Sequence, residues 1–189
     1  MTRIVILAGG KSSRFGSNKA LAPWKGSTII ETILEKVSKV TNDVAISVGA
    51  SDPYPEINIK KIFDRHPGLG ALGALHACLM DQSHDRVMLI ACDMPLIEPT
   101  FVKFMTDIET WAPAIVPYAN GKYEPLHAIY HRSLLPIVEY LIGAKRLKMT
   151  DLLEMIPVRP VKEDETGRLF CFNRIFVNIN TKAQYENHL

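Results

Sequence analysis

The chain has 189 residues, 47% of them apolar, enough for one domain with a sizeable core and too many for a disordered chain. Its 22 basic and 20 acidic residues leave a net charge of +2, which excludes a general polyanion binder. Three scattered cysteines, Cys78, Cys92 and Cys171, form no Cys-x-x-Cys pair, which fits a reducing cytosol better than a disulfide framework.

Ile4 to Ala8 reads as a buried strand. The apolar run ends at Gly9-Gly10, too short for a signal-peptide core. No later stretch approaches the roughly 18 apolar residues of a membrane span, so a soluble, cytoplasmic protein is expected. Thr28 to Val40 places Ile29, Ile30, Ile33, Leu34 and Val37 at helical spacing. Val44 to Val48 and Asn58 to Phe63 read as short strands, and Leu72 to Met80 as a helix. Arg86 to Ala91, with its core Val87-Met88-Leu89-Ile90, is the clearest internal strand, and Pro99 to Ile108 follows as a helix. Beyond it, Ala114 to Tyr118 and Leu126 to Tyr130 read as strands with the turn Asn120-Gly121 between them. Ser133 to Ile142 reads as a helix, and Phe172 to Ile179 as a late strand before a terminal helix.

Strand-helix alternation of this kind predicts a mostly parallel sheet with helices on both faces. The second half is expected to add antiparallel strands at one edge. One α/β domain over residues 1–189 is expected, with its ligand at the carboxyl ends of the strands. The loops after Leu7, Phe63 and Ile90 are therefore the places to look.

The first of these loops holds Gly10-Lys11-Ser12, the end of a P-loop motif. That motif needs a glycine five positions before Gly10, where Val5 stands, so the P-loop reading fails on spacing. What remains is Gly9, Gly10 and Gly16 with Ser12, Ser13, Lys11, Arg14 and Lys19. Glycines let backbone N–H groups approach an oxyanion, and the cations offset triphosphate charge. The plain alternative, a solvated surface loop with Lys19 as an exposed cation, does not explain this composition directly after a buried strand.

Gly68-x-Gly70-x-x-Gly73 matches the dinucleotide fingerprint, but the strand before it is not the first of the sheet. A tight glycine turn, or backbone contact with a base or ribose, competes with that reading. Asp93 stands just past the Arg86–Ala91 strand, beside the Gly9–Lys19 loop. A carboxylate among phosphate-binding cations suits Mg2+, which takes oxygen ligands and phosphates together. An N-cap role fits less well, since Asp93 precedes Pro99 by several residues. Asp64 follows another strand end, with a nucleotide contact and an Asx turn both open. His127 and His131 lie four apart in a segment read as strand, where such residues are about 13 Å apart, so zinc is rejected. A hydrogen-bonded structural role is expected for His127, a substrate contact being the alternative. Gly143 to Lys148 is a small basic cluster after a helix, either a C-terminal charge pattern or a landing point for an anionic second substrate.

"LAGGKSSRFGSNKA", "DRHPGLGALGAL", "CDMPL", "EPLHAIY" and "FVNIN" stand in the order and at the spacing of one family's blocks. From Leu7 to Asn180 the chain resembles the molybdenum cofactor guanylyltransferases, the MobA-type nucleotidyltransferases. The first and third blocks alone mark the wider sugar-nucleotide-type transferases. "LAGG" in place of "LAAG", with the final "NIN", points to the guanylyl branch. The resemblance implies a Rossmann-like nucleotidyltransferase domain in which Leu7, Ala8, Gly9 and Gly10 contact GTP and Lys19 its phosphates. It puts Asp64 near the nucleoside and gives Asp93 both GTP and Mg2+. Arg14, Asn178 and Asn180 match positions linked to phosphate or substrate handling, and Arg14, Lys19 and Asp93 are the implied catalytic set. Ser47 stands at a nucleoside-contacting position where the family often has Asn.

The implied reaction moves GMP from GTP to the phosphate of molybdopterin and releases pyrophosphate. An already ionised phosphate needs no general base, in agreement with the lack of an obvious one. The partners expected are these two small molecules, with transient contacts to other cofactor-biosynthesis proteins or recipient molybdoenzymes. Neither nucleic acid nor membrane is expected to bind. Cytidylyl transfer, or transfer to another small phosphate, keeps the fold and changes the substrate. A dinucleotide-dependent oxidoreductase built on Gly68–Gly73, or a non-catalytic nucleotide-binding regulator, would change the class.

Overall fold

The computed structural model describes residues 2–9, 18–81, 83–167 and 169–179. In chain order, β1 (Thr2–Leu7) leads through a two-strand hairpin, β2 (Pro23–Trp24) and β3 (Ser27–Thr28), into α1 (Ile29–Ser38). β4 (Val44–Gly49), β5 (Lys60–Phe63), α2 (Gly70–Met80), β6 (Arg86–Ala91) and α3 (Pro99–Asp107) follow. The second half carries β7 (Ala114–Ala119), β8 (Lys122–Tyr123), β9 (Ile129–His131), α4 (Leu135–Gly143), α5 (Met149–Leu153), β10 (Val158–Lys162) and α6 (Phe172–Ile175).

The main sheet runs in the order β10-β7-β9-β6-β1-β4-β5, with β8 paired to β7. β1 pairs parallel with β4 and β6, and β4 with β5. Side chains alternate across it. Ile4, Ile6, Ile46, Met88 and Ile90 face α1, α3 and α6, whereas Val5, Ala45, Val87 and Leu89 face α2, α4 and α5. A strand buried on both faces must be apolar throughout, which is why β1 and β6 read as unbroken apolar runs. α1 begins where Thr28 and Glu31 form a reciprocal capping box, a device worth about 1 kcal/mol.

Three expectations for the second half change. The antiparallel strand is not an edge addition: β9 lies between β6 and β7, antiparallel to both, while β10 joins β7 in parallel. Asn120-Gly121 does form a hairpin turn, with φ of 51° and 79°, but its second strand is the short Lys122–Tyr123. Pro125 to His127 then form a 3-10 turn, so β9 begins only at Ile129. The expected strand Phe172–Ile179 opens instead as α6, because Phe172, Ile175 and Phe176 have helical spacing and are all buried. The expected terminal helix lies outside the described residues. Among the described residues no helix is long and apolar enough to cross a membrane.

The chain runs outward from β1 to β4 and β5, then crosses back to β6 on the other side of β1. Strand order therefore reverses between β1 and β6, and the crevice at their carboxyl ends is where ligands bind in sheets of this kind.

Candidate active site

The β1 and β6 ends are in register, Leu7 opposite Ala91, and the Cys92 N–H donates to the Leu7 carbonyl at 3.2 Å. The chain leaves β1 through Ala8, whose N–H donates to the Ser47 carbonyl at 2.9 Å. Ser47 itself is buried, so it supports Ala8 from below. Gly9 passes close to the end of β4. A Cβ on it would stand 2.5 Å from the Gly49 nitrogen and 2.9 Å from the Val48 carbonyl carbon, backbone atoms that cannot yield, so only glycine fits. Gly10 and Arg14 lie outside the described residues.

Asn18 re-enters as the N-cap of a 3-10 turn, Lys19–Leu21, its side chain accepting the Ala20 N–H at 3.2 Å. Lys19 is not the exposed cation of the surface-loop alternative. Only 8% of its surface is accessible, and its Nζ stands 3.6 Å from Asp93 Oδ2. The turn draws the stem inward while the charge meets a carboxylate from the neighbouring strand. Asp93 is therefore at the switch point, beyond β6. Its carbonyl accepts the Ile179 N–H at 2.9 Å, which seats Asn178 next to it in the chain, whereas Asn180 lies outside the described residues. Asp93 Oδ1 is buried and accepts no hydrogen bond among the described residues. A hard carboxylate oxygen with spare acceptor capacity suits a hard cation shared with phosphates. Among the described residues no group of three or more His, Cys, Asp and Glu could hold a metal ion by itself. The beside-lying Cys92 thiol is pushed up to about 12 by burial and then by the Asp93 charge, so it stays protonated.

Two further carboxylates stand past strand ends. Asp64 follows β5, its N–H donating to the Gly49 carbonyl at 2.8 Å. Its Oδ1 is buried without a partner among the described residues, so no Asx turn consumes that oxygen, and burial raises its pKa. Glu124, absent from the sequence-based set, stands after β8. Burial raises its pKa, Lys122 opposes the rise and Asp93 adds to it, which places the Glu124 carboxylate within electrostatic reach of Asp93. Only a glutamate in a block of family resemblance marked it. Tyr54 was also unmarked, and its hydroxyl donates to the Ala8 carbonyl at 2.8 Å.

Other candidates lie elsewhere. Gly68 and Gly70 have φ of 93° and 62° in the loop after β5, an edge strand two places from the switch point, which is a glycine turn and not the dinucleotide crevice. His127 has no exposed surface for a substrate, and among the described residues neither ring nitrogen has a hydrogen-bond partner, contrary to the structural bond expected. The basic cluster closes α4. Lys145, at φ 57°, donates its N–H to Ile142, the Arg146 N–H reaches Leu141, and the Arg146 guanidinium lies 3.4 Å from Asp151 and 3.5 Å from Glu154. This is a helix C-cap in which the Arg146 charge is paired internally.

The arrangement is a buried lysine against Asp93, with Glu124 within electrostatic reach, at a glycine-lined strand end on a switch point, and its chemistry suits a polyphosphate and a divalent cation. Residues 4–158 match the sequence model of the MobA-like NTP transferase domain. A Carboxydothermus hydrogenoformans protein named probable molybdenum cofactor guanylyltransferase is 32% identical over 187 residues, covering 98% of this chain and 94% of its own. A Bacillus subtilis protein of the same name is 33% identical over 187 residues, covering 96% and 92%. In fold, the chain matches the crystal structure of molybdopterin-guanine dinucleotide biosynthesis protein A from Archaeoglobus fulgidus with a TM-score of 0.85, at 24% identity over 100% of this chain and 96% of that one. A match to the family model over most of the chain, with relatives aligned nearly end to end, makes this chain a member of the MobA-like NTP transferase family.

Proposed function

We propose that this protein transfers GMP from GTP to the phosphate of molybdopterin, releasing pyrophosphate, with Mg2+ as its metal. The observation that carries the reading is the Lys19–Asp93 pair at 3.6 Å on the switch point between β1 and β6. The choice of guanine and of molybdopterin rests on the relatives' names and on the Leu7-Ala8-Gly9-Gly10 stretch.

In this reading the backbone of Leu7, Ala8, Gly9 and Gly10 lies along the nucleotide, with Ser47 and Asp64 on the nucleoside side. Lys19 and Arg14 offset the charge on the phosphates. Asn178 and Asn180, on the Asp93 side, orient the reacting phosphate. An oxygen of the molybdopterin phosphate forms a bond to the α-phosphorus of GTP as the α–β bridging bond breaks, and its electron pair leaves with pyrophosphate. The attacking oxygen is already ionised, so no side chain has to accept a proton. Asp93 is the residue that would hold Mg2+, which supplies neutralisation of charge on the phosphates when bound.

The test uses GTP labelled at the α-phosphorus, molybdopterin and Mg2+, with CTP and ATP in parallel. The expected result is label in the pterin product at a rate well above that with CTP or ATP, matched by pyrophosphate. Equal transfer from all three would remove the guanine assignment, and release of γ-phosphate alone would make the protein a hydrolase.

A further inference from the structure

The geometry points to Tyr54 as a positioning residue of the nucleotide site: its hydroxyl ties the end of β1 to the turn that carries Lys19, and so sets the lysine against Asp93. The inference rests on the reading of Lys19 as a phosphate contact.

Tyr54 lies in the segment between β4 and β5. Its neighbours Ser51, Pro53, Pro55 and Glu56 are exposed, yet Tyr54 is 2% accessible and among the largest fully buried side chains. Its ring belongs to the cluster formed by α1, β1 and β4. Its hydroxyl donates to the Ala8 carbonyl at 2.8 Å and lies 3.2 Å from Asn18 Oδ1. That Asn18 oxygen also accepts the Ala20 N–H, so the group that caps the Lys19–Leu21 turn is the group Tyr54 holds. One proton thus serves two acceptors, one where the chain leaves β1 and one where it returns with Lys19. Burial pushes the Tyr54 hydroxyl up to about 12, which keeps that proton in place throughout the working range.

A tie positions only if its own base is firm. The Tyr54 N–H donates to Asp52 Oδ1 at 2.8 Å, and the Ile57 N–H to the Tyr54 carbonyl at 3.1 Å. From β5, Lys61 Nζ donates to the Ile57 carbonyl at 2.6 Å and stands 3.6 Å from Asp52 Oδ2. The segment is therefore braced to the sheet on both sides of Tyr54. Tyr54→Phe keeps the buried ring and removes only the hydroxyl that carries the shared proton. The Ala8 carbonyl and the Asn18 oxygen then lose a donor, and the turn below Lys19 loses its fixed position.

The experiment is a double-mutant cycle read as GTP affinity in Mg2+ by calorimetry. Tyr54→Phe is expected to weaken GTP about threefold to tenfold, the net worth of one hydrogen bond. In a Lys19→Ala background the same change is expected to cost less than twofold, because the lysine through which it acts is gone. Asn18→Ala approaches the tie from its other end and should repeat both results. Equal losses in the two backgrounds would make Tyr54 a structural residue only, and an unchanged affinity in Tyr54→Phe and Asn18→Ala would overturn the tie. Wild-type affinity in Lys19→Ala would instead remove the phosphate role of Lys19, and the positioning role with it.

Discussion

The imidazole of His127 is fully buried, meets the Phe176 ring edge-on at 5.6 Å, and offers two nitrogens that no group bonds among the described residues. Burial alone lowers its pKa to about 3, so the ring is neutral in the folded protein. The unfolded chain takes up a proton near pH 6.5. Since the unfolded state then binds more protons, stability is greatest above pH 6.5 and falls as pH drops toward about 3. The slope is at most about 1.4 kcal/mol per pH unit for one proton. His127→Leu removes both the unpaired atoms and the titration. Urea unfolding should find this variant about 1–3 kcal/mol more stable at pH 7.5. Its acid loss between pH 6 and 4 should be shallower than in the wild type. Parallel acid limbs would place the responsible proton elsewhere.

α6 leads into the segment that bonds Asp93. Phe101 of α3 meets Phe170 at 5.3 Å and Phe172 and Phe176 at 5.6 Å, all near-perpendicular ring pairs. This cluster seats the segment that runs through Asn178 to Ile179, whose N–H bonds the Asp93 carbonyl. Removing the central ring leaves a cavity under three others. Phe101→Ala should cost about 3–5 kcal/mol in urea unfolding. The turnover that remains at low temperature should fall as well, since Asp93 loses its anchored neighbour. Loss of stability with unchanged turnover would mean that the α6 segment only covers the core. Sequence could not type this element. Four residues that open on an aromatic and close on a β-branched residue are too few to separate a strand from one helical turn, and the burial of Phe172, Ile175 and Phe176 on one side decides.

At the scale of the molecule, the first half was legible because β1, β4 and β6 are buried on both faces and their apolar runs leave no other assignment. The same strands carried the outline of the site, since Leu7 and Asp93 had to emerge at one sheet edge. What lay beyond the sequence depends on pairings distant along the chain. The insertion of β9 between β6 and β7 is a choice of partners, not of local pattern. The burial of Lys19, the hold of Tyr54 on Asn18 and the approach of Glu124 to Asp93 all cross from one loop to another. The central claim is that the switch-point carboxylate of Asp93 works on the nucleotide's phosphates together with a metal. It is tested most directly by pyrophosphate release across a Mg2+ titration, for wild type and Asp93→Asn. Asparagine keeps the shape and removes the charge, so the fold should hold while the rate falls by about 3–4 kcal/mol of barrier, roughly 10²–10³-fold. Raising Mg2+ should recover part of the loss. A mutant with the wild-type rate and the wild-type Mg2+ dependence would contradict the account.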